Sequence, residues 1–120
     1  MIRLTLPYPV SANRYWRIFN GRAVHSAEAR SYREAVQYKA REKRVTPIAG
    51  DVSVHVALCP ELTKKGEASK TRLDLDNCLK VALDALQGIA FSNDKQVVKL
   101  IAEIGPAQIG GALMVEVAQV

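Results

Sequence analysis

Asp74 and Asp76 stand on either side of Leu75 in the stretch KTRLDLDNCLKVALDAL, and Lys80 follows Asp76 by one helical turn. In an extended or turn-like chain, alternate side chains point the same way. The two carboxylates can therefore face one site while Leu75 turns to the core. A third acid, Asp94, lies in Ser92–Asn93–Asp94, after an intervening helical pattern and just before a strand pattern. Three oxygen ligands with open positions suit Mg²⁺ or Mn²⁺, which prefer hard donors and keep waters for a substrate phosphate. Asp74, Asp76 and Asp94 are thus the candidate metal ligands, and the expectation is that they converge. Asn77 and Asn93 are candidates to orient a ligand or bond a substrate. Lys80 would add positive charge beside the metal, where a phosphoryl transition state gathers negative charge. Each member also has a plain structural reading. Asp76 suits a helix N-terminus, Asp94 suits a turn, and Asp76–Lys80–Asp84 suits an exposed i,i+4 ion-pair row.

The elements that must position these residues follow from periodicity. Ile2–Leu6 alternates apolar and polar, as a strand does. The prolines of PYPV exclude a helix after it, and Asn20-Gly21 between RIF and RAV marks a tight hairpin turn. Ser26 offers an N-cap for a helix from Ala27 to about Arg44, with Tyr32, Ala35, Val36 and Ala40 on one face. Asp51 to Cys59 is a strand with Val52, Val54, Val56 and Leu58 on one side. PELTKKGEASKTR is a polar, basic loop. A second helix begins near Asp76 and presents Leu79, Ala82, Leu83 and Leu86 to the core, with Gly88 at its stop. QVVKLIAEI and GALMVEVAQV are two final strands joined through GPAQIGG. The order β–hairpin–α–β–α–β–β gives one domain over residues 1–120, of α/β (α+β) class, with a mixed β-sheet and two main helices.

Composition narrows the partners. Of the 120 residues, 48% are hydrophobic and 24% charged, which allows one compact core. Residues 1–50 carry ten Lys/Arg against three Glu, and residues 51–120 carry seven against nine Asp/Glu, so the halves are +7 and −2. A basic half beside an acidic half suits a polyanion surface next to a metal site. Arg14, Arg17 and Arg22 are interleaved with Tyr15, Trp16 and Phe19, a mixture that suits phosphate contact and stacking on bases. Lys70 and Arg72 lead into the aspartates and would deliver phosphate to them. Cys59 and Cys78 read as small buried thiols, and His25 and His55 are too scattered for a zinc site. No phosphate-binding glycine loop is present. The N-terminal MIRLTLPYPV lacks a signal-peptide core, so the expectation is a protein that stays in the cytoplasm.

These residues resemble a known family. DLDNCLKVALDAL followed by NDKQVV, and LPYPVSANRYWR followed by GR and YRE, are similar to the RusA-type Holliday junction resolvases, endodeoxyribonucleases often carried by prophages. The similarity spans nearly the whole chain. It implies a homodimer that binds branched DNA, a four-way junction, and cuts two strands symmetrically with Mg²⁺. By position it implies that Asp74, Asp76 and Asp94 are the catalytic acids, Lys80 the essential lysine and Asn77 the motif asparagine at the DNA. Leu73 stands where the family pattern has an arginine before the first aspartate, and KKGEASKTR replaces a denser arginine run. Each subunit is expected to hold a complete set of Asp74, Asp76, Asp94 and Lys80. The alternative is a composite site to which the partner contributes Asp94. A nucleotide phosphoesterase and a non-enzymatic module for branched nucleic acid are the rival functions.

Overall fold

The computed structural model describes all residues, Met1–Val120. Six strands and three helices form in the order β1 (Ile2–Leu6), α1 (Ala12–Tyr15), β2 (Trp16–Phe19), β3 (Arg22–His25), α2 (Ala27–Glu42), β4 (Val52–Cys59), α3 (Leu75–Leu86), β5 (Val97–Ile104) and β6 (Ala112–Gln119). A single 3₁₀ turn, Asp94–Gln96, leads into β5. The main sheet has the order β1-β6-β4-β5. β4 runs antiparallel to β6 and parallel to β5, so the sheet is mixed. β2 and β3 form a separate hairpin. Asn20 and Gly21 both take positive φ at its tip, as the Asn-Gly signal requires.

Alternation along the strands decides which face is covered. Leu4 and Leu6, Val52, Val54, Val56 and Leu58, and Leu113, Val115 and Val117 are all buried. They line one side of the sheet, and α2 and α3 cover it. α2 contributes Ala29, Tyr32, Val36 and Ala40, and its Ser26 side chain accepts from the Ala29 backbone N–H as an N-cap. α3 buries Cys78, Val81, Ala82, Ala85 and Leu86. The predicted core face of α3 is therefore rotated. Leu79 and Leu83 pack half-buried at the flank, while the smaller Cys78, Ala82 and Ala85 let the helix axis approach the sheet. The opposite sheet face is open and polar, with Arg3–Glu116 at 3.8 Å and His55–Glu103 at 3.1 Å across it.

Both cysteines are buried and free. Burial pushes the Cys78 thiol up from 9.0 to about 12, because the thiolate has no partner in the core. The unfolded chain then releases this proton first. Its stabilising contribution is complete below pH 9 and is lost as pH rises toward 12. Urea unfolding of Cys78→Ala should show a flatter decline between pH 9 and 11 than the parent. No helix is long and apolar enough to cross a membrane.

Candidate active site and nucleic-acid interface

The chain enters α3 extended. Asp74 occupies the N-cap position with φ −71° and ψ 149°, yet its carboxylate makes no capping bond. Leu73 and Leu75 are half-buried, while Asp74 and Asp76 are exposed. The leucines anchor the turn, and the alternation leaves the two acids facing water. Neither acid has an ion-pair partner, and neither has Lys80. The anticipated Asp76–Lys80–Asp84 ion-pair row does not form.

Two contacts fix this entry. The Leu73 backbone N–H donates to Tyr8 Oη at 2.9 Å. Tyr8 in turn packs on Gly111, whose φ is +71° and where an added Cβ would lie 2.7 Å from Tyr8 Cδ1 and 3.2 Å from the Cys59 carbonyl. Gly111→Ala should therefore destabilise the fold by roughly 1–3 kcal/mol, from the left-handed backbone and the displaced ring, read as a lower urea midpoint. The second contact is the Ala12 backbone N–H donating to Asn77 Oδ1. Asn77 is expected at the DNA, but its carbonyl oxygen is occupied in tying α1 to the first turn of α3. Its amide NH₂ makes no hydrogen bond within the chain and stays free to donate.

Asp94 lies at the other end of the domain. α3 starts beside Tyr8 and Gly111, where β4 ends at Cys59. It finishes beside the start of β4: Ile48 N–H donates to the Ala90 carbonyl, and Gln96 Nε2 donates to the Ile48 and Gly50 carbonyls. Twelve helical residues span about 18 Å. Asp94 follows, in a turn capped by Asn93 accepting from Lys95 N–H. The expected convergence of Asp94 on Asp74 and Asp76 does not occur within one chain, and no three acidic, histidine or cysteine side chains gather to hold a metal. The reason is the crossover itself. β4 and β5 are parallel, so the connecting helix must run the length of the sheet and deliver Asp94 to the far edge. The Asn93 side chain caps the turn that bears Asp94.

Asp84 is the residue that the pattern concealed. Its Oδ2 lies 2.6 Å from Tyr15 Oη, 2.9 Å from His25 Nε2 and 2.8 Å from Arg33 Nη1, and Arg33 also donates to the Asp84 carbonyl at 3.0 Å. One carboxylate joins α1, the hairpin and α2 to α3. Burial, reinforced by the Asp84 hydrogen bond, raises the Tyr15 pKa, which keeps the phenol a donor. His25 is thus a structural partner of Asp84. The available signal was helical phase: Asn77 and Asp84 are seven residues apart, so they share a face and meet the same neighbour. Asp84→Ala leaves three polar groups without their acceptor. It should cost about 1–3 kcal/mol and speed amide exchange in β2 and β3.

The hub sets the hairpin alongside α3. Arg17 lies over the Phe19 ring at 5.4 Å, and Phe19 is 55% exposed, so both are available to a ligand. Arg22, opposite Phe19, is exposed too. Trp16 is half-buried against Tyr15, with ring centroids 4.6 Å apart, and serves the fold. Arg14 is exposed but pairs with Glu28 at 2.8 Å. Lys70 and Arg72 are exposed in the loop before Asp74. Part of that loop is itself a small turn, with a Leu62–Ala68 bridge and Gly66 at positive φ presenting Lys64 and Lys65.

The fold and site define a small α+β domain in which a basic, aromatic hairpin flanks a helix that begins with exposed acids. Comparison with known proteins gives the class its name. The profile of the family described as Endodeoxyribonuclease RusA matches residues 7–118. The chain is 35% identical over 114 residues to the crossover junction endodeoxyribonuclease RusA of Shigella sonnei (strain Ss046), covering 92% of this chain and 88% of that one. It is 34% identical over 114 residues to the protein of the same name from Escherichia coli (strain K12), with the same coverage. It is 35% identical over 111 residues to that of Enterobacteria phage 82. The chain belongs to the RusA family.

Proposed function

We propose that this protein is a Mg²⁺-dependent endodeoxyribonuclease that resolves four-way (Holliday) junctions as a homodimer, by paired symmetric phosphodiester cleavage in DNA recombination and repair. The observation that carries the reading is the entry to α3. Asp74 and Asp76 are exposed and unpaired there, with an unpaired Lys80 one turn on, in a chain of the RusA family. The curated relatives are named for crossover junctions, which supports branched DNA as the substrate.

Asp74 and Asp76 supply hard oxygen donors that fit Mg²⁺, or Mn²⁺ in its place. Within one chain no third acid gathers with them, so we assign the third ligand, Asp94, to the partner subunit in a composite site. When bound, the metal supplies an activated water and neutralises phosphate charge. The protein's own groups do the rest. Lys80 would hold positive charge where the phosphoryl transition state and the departing sugar oxygen gather negative charge. Arg14, Arg17, Arg22, Lys70 and Arg72 hold the backbone, Phe19 offers a stacking face, and the Asn77 amide donates toward the DNA. The sources of the relatives, bacteria and a phage, support a bacterial or prophage-encoded enzyme working in the cytoplasm.

One gel tests this. Labelled four-way junction and linear duplex are each incubated with Mg²⁺ and with chelator. Paired nicks in the junction alone, abolished by chelator, are expected. Binding without nicking would indicate a non-enzymatic module, and hydrolysis of free nucleotides with intact junctions would indicate a phosphoesterase.

A further inference from the structure

The backbone that leads into the acids is almost untethered. From Lys70 to Asp76 it makes a single hydrogen bond to any residue outside its own loop and α3, from the Leu73 N–H to Tyr8 Oη at 2.9 Å. Asp74 and Asp76 have no side-chain partner of their own, so the backbone alone aims them. Leu73 and Leu75 pack half-buried against the core, but apolar packing is non-directional and leaves the peptide planes free to turn. The bond to Tyr8 is directional. It sets the plane of the Arg72–Leu73 peptide, and with it the direction in which the alternating carboxylates project.

Tyr8 is itself held in place. Pro7 and Pro9 flank it. They fix their own φ, and Pro9 restricts the residue before it to extended backbone. Tyr32 Oη donates to the Pro7 carbonyl at 2.7 Å and so ties this segment to α2. The ring backs onto Gly111, where φ is +71° and the missing Cβ leaves it room. A phenylalanine would fill the same space. Only the hydroxyl is additional, and its one hydrogen bond within the chain is with Leu73.

We infer that Tyr8 is a positioning residue: its hydroxyl, through the Leu73 N–H, holds Asp74 and Asp76 in the arrangement that takes up the divalent cation. This rests on the metal-site reading above and adds the residue that forms the site in advance of the metal. Two unpaired carboxylates close together repel each other. An untethered entry to α3 would relieve that by turning one of them away. Cation binding would then have to restore the order, and the affinity would fall by the fraction of chains that had lost it.

Tyr8→Phe isolates the hydroxyl. Four quantities are compared between this variant and the parent: Mn²⁺ affinity, read from the electron paramagnetic resonance signal of free Mn²⁺; junction cleavage across a Mg²⁺ titration; junction binding in chelator; and the urea midpoint. Mn²⁺ affinity should fall about tenfold, the scale of one hydrogen bond. The Mg²⁺ concentration for half-maximal cleavage should rise to match, with the maximal rate recovered at saturating Mg²⁺. Junction binding in chelator should not move. Unchanged metal dependence, with or without a lower urea midpoint, would make the hydroxyl a structural strut and overturn the proposal. Weakened junction binding in chelator with unchanged Mn²⁺ affinity would overturn it too, because Tyr8 would then act on the DNA. A parent that neither binds Mn²⁺ nor cuts junctions would sink the metal-nuclease reading, and this proposal with it.

Discussion

Asn at position 74 or 76 is expected to stop cleavage of a four-way junction while leaving its binding equal to or tighter than the parent's. The two side chains are exposed, and neither carboxylate makes a hydrogen bond or ion pair within the chain, so the amide costs the fold almost nothing. The change falls on charge alone. A neutral amide is a far poorer ligand for a hard dication, and a loss of at least about a hundredfold in cleavage rate is the scale expected when a site loses such stabilisation. Binding moves the other way because a negative group leaves the neighbourhood of the phosphates. Lys80→Ala should keep metal affinity, measured by Mn²⁺ titration, and lose cleavage to a similar degree. Single-turnover assays with saturating enzyme separate the two effects. Robust cutting by Asp74→Asn or Asp76→Asn would remove the acids from the chemistry, and weakened binding with unchanged cleavage would make them positioning groups for DNA.

The outward placement of Asp74 and Asp76 and the hairpin were legible in the sequence because each announces itself locally. Asp74 and Asp76 alternate with leucines that can only turn inward. Asn20-Gly21 requires the positive φ values observed. The strand from Val52 alternates without interruption and takes a central place in the sheet. What stayed hidden depended on long-range geometry. The direction of α3 relative to the sheet follows from β4 and β5 being parallel, and hydrophobic pattern carries no strand order. Asp94 therefore read as converging when the crossover sends it to the far end. Asp84 read as one rung of a surface ion-pair row, because i,i+4 spacing is visible in sequence and the arrival of Tyr15, His25 and Arg33 is not. The rotation of α3 has the same origin: Leu79 and Leu83 are the more hydrophobic choice, but the close approach of the helix favours its small residues.

The composite site leads to an expected result that a self-contained site cannot give. Heterodimers are prepared from differently tagged chains and separated from both homodimers. One pairs an Asp76→Asn subunit with an Asp94→Asn subunit. If each site draws Asp74 and Asp76 from one chain and Asp94 from the other, one site in this heterodimer loses both ligands and the other keeps all of them. It should nick one strand of a four-way junction, although either homodimer is inactive. If each chain held its own complete site, both sites would be damaged and no nick would appear. The reciprocal heterodimer pairs a parent subunit with an Asp76→Asn/Asp94→Asn subunit. Composite sites then share the damage, one lacking Asp76 and the other lacking Asp94, and cleavage should be lost. Self-contained sites would leave the parent subunit untouched and give a nick. Crossover topology favours the composite outcome, since about 18 Å of helix separates the start of α3 from the turn bearing Asp94 in the same chain. A nick from the reciprocal pair together with silence from the first would show that Asp94 acts within its own subunit, and the chain would then have to rearrange on DNA to bring its acids together.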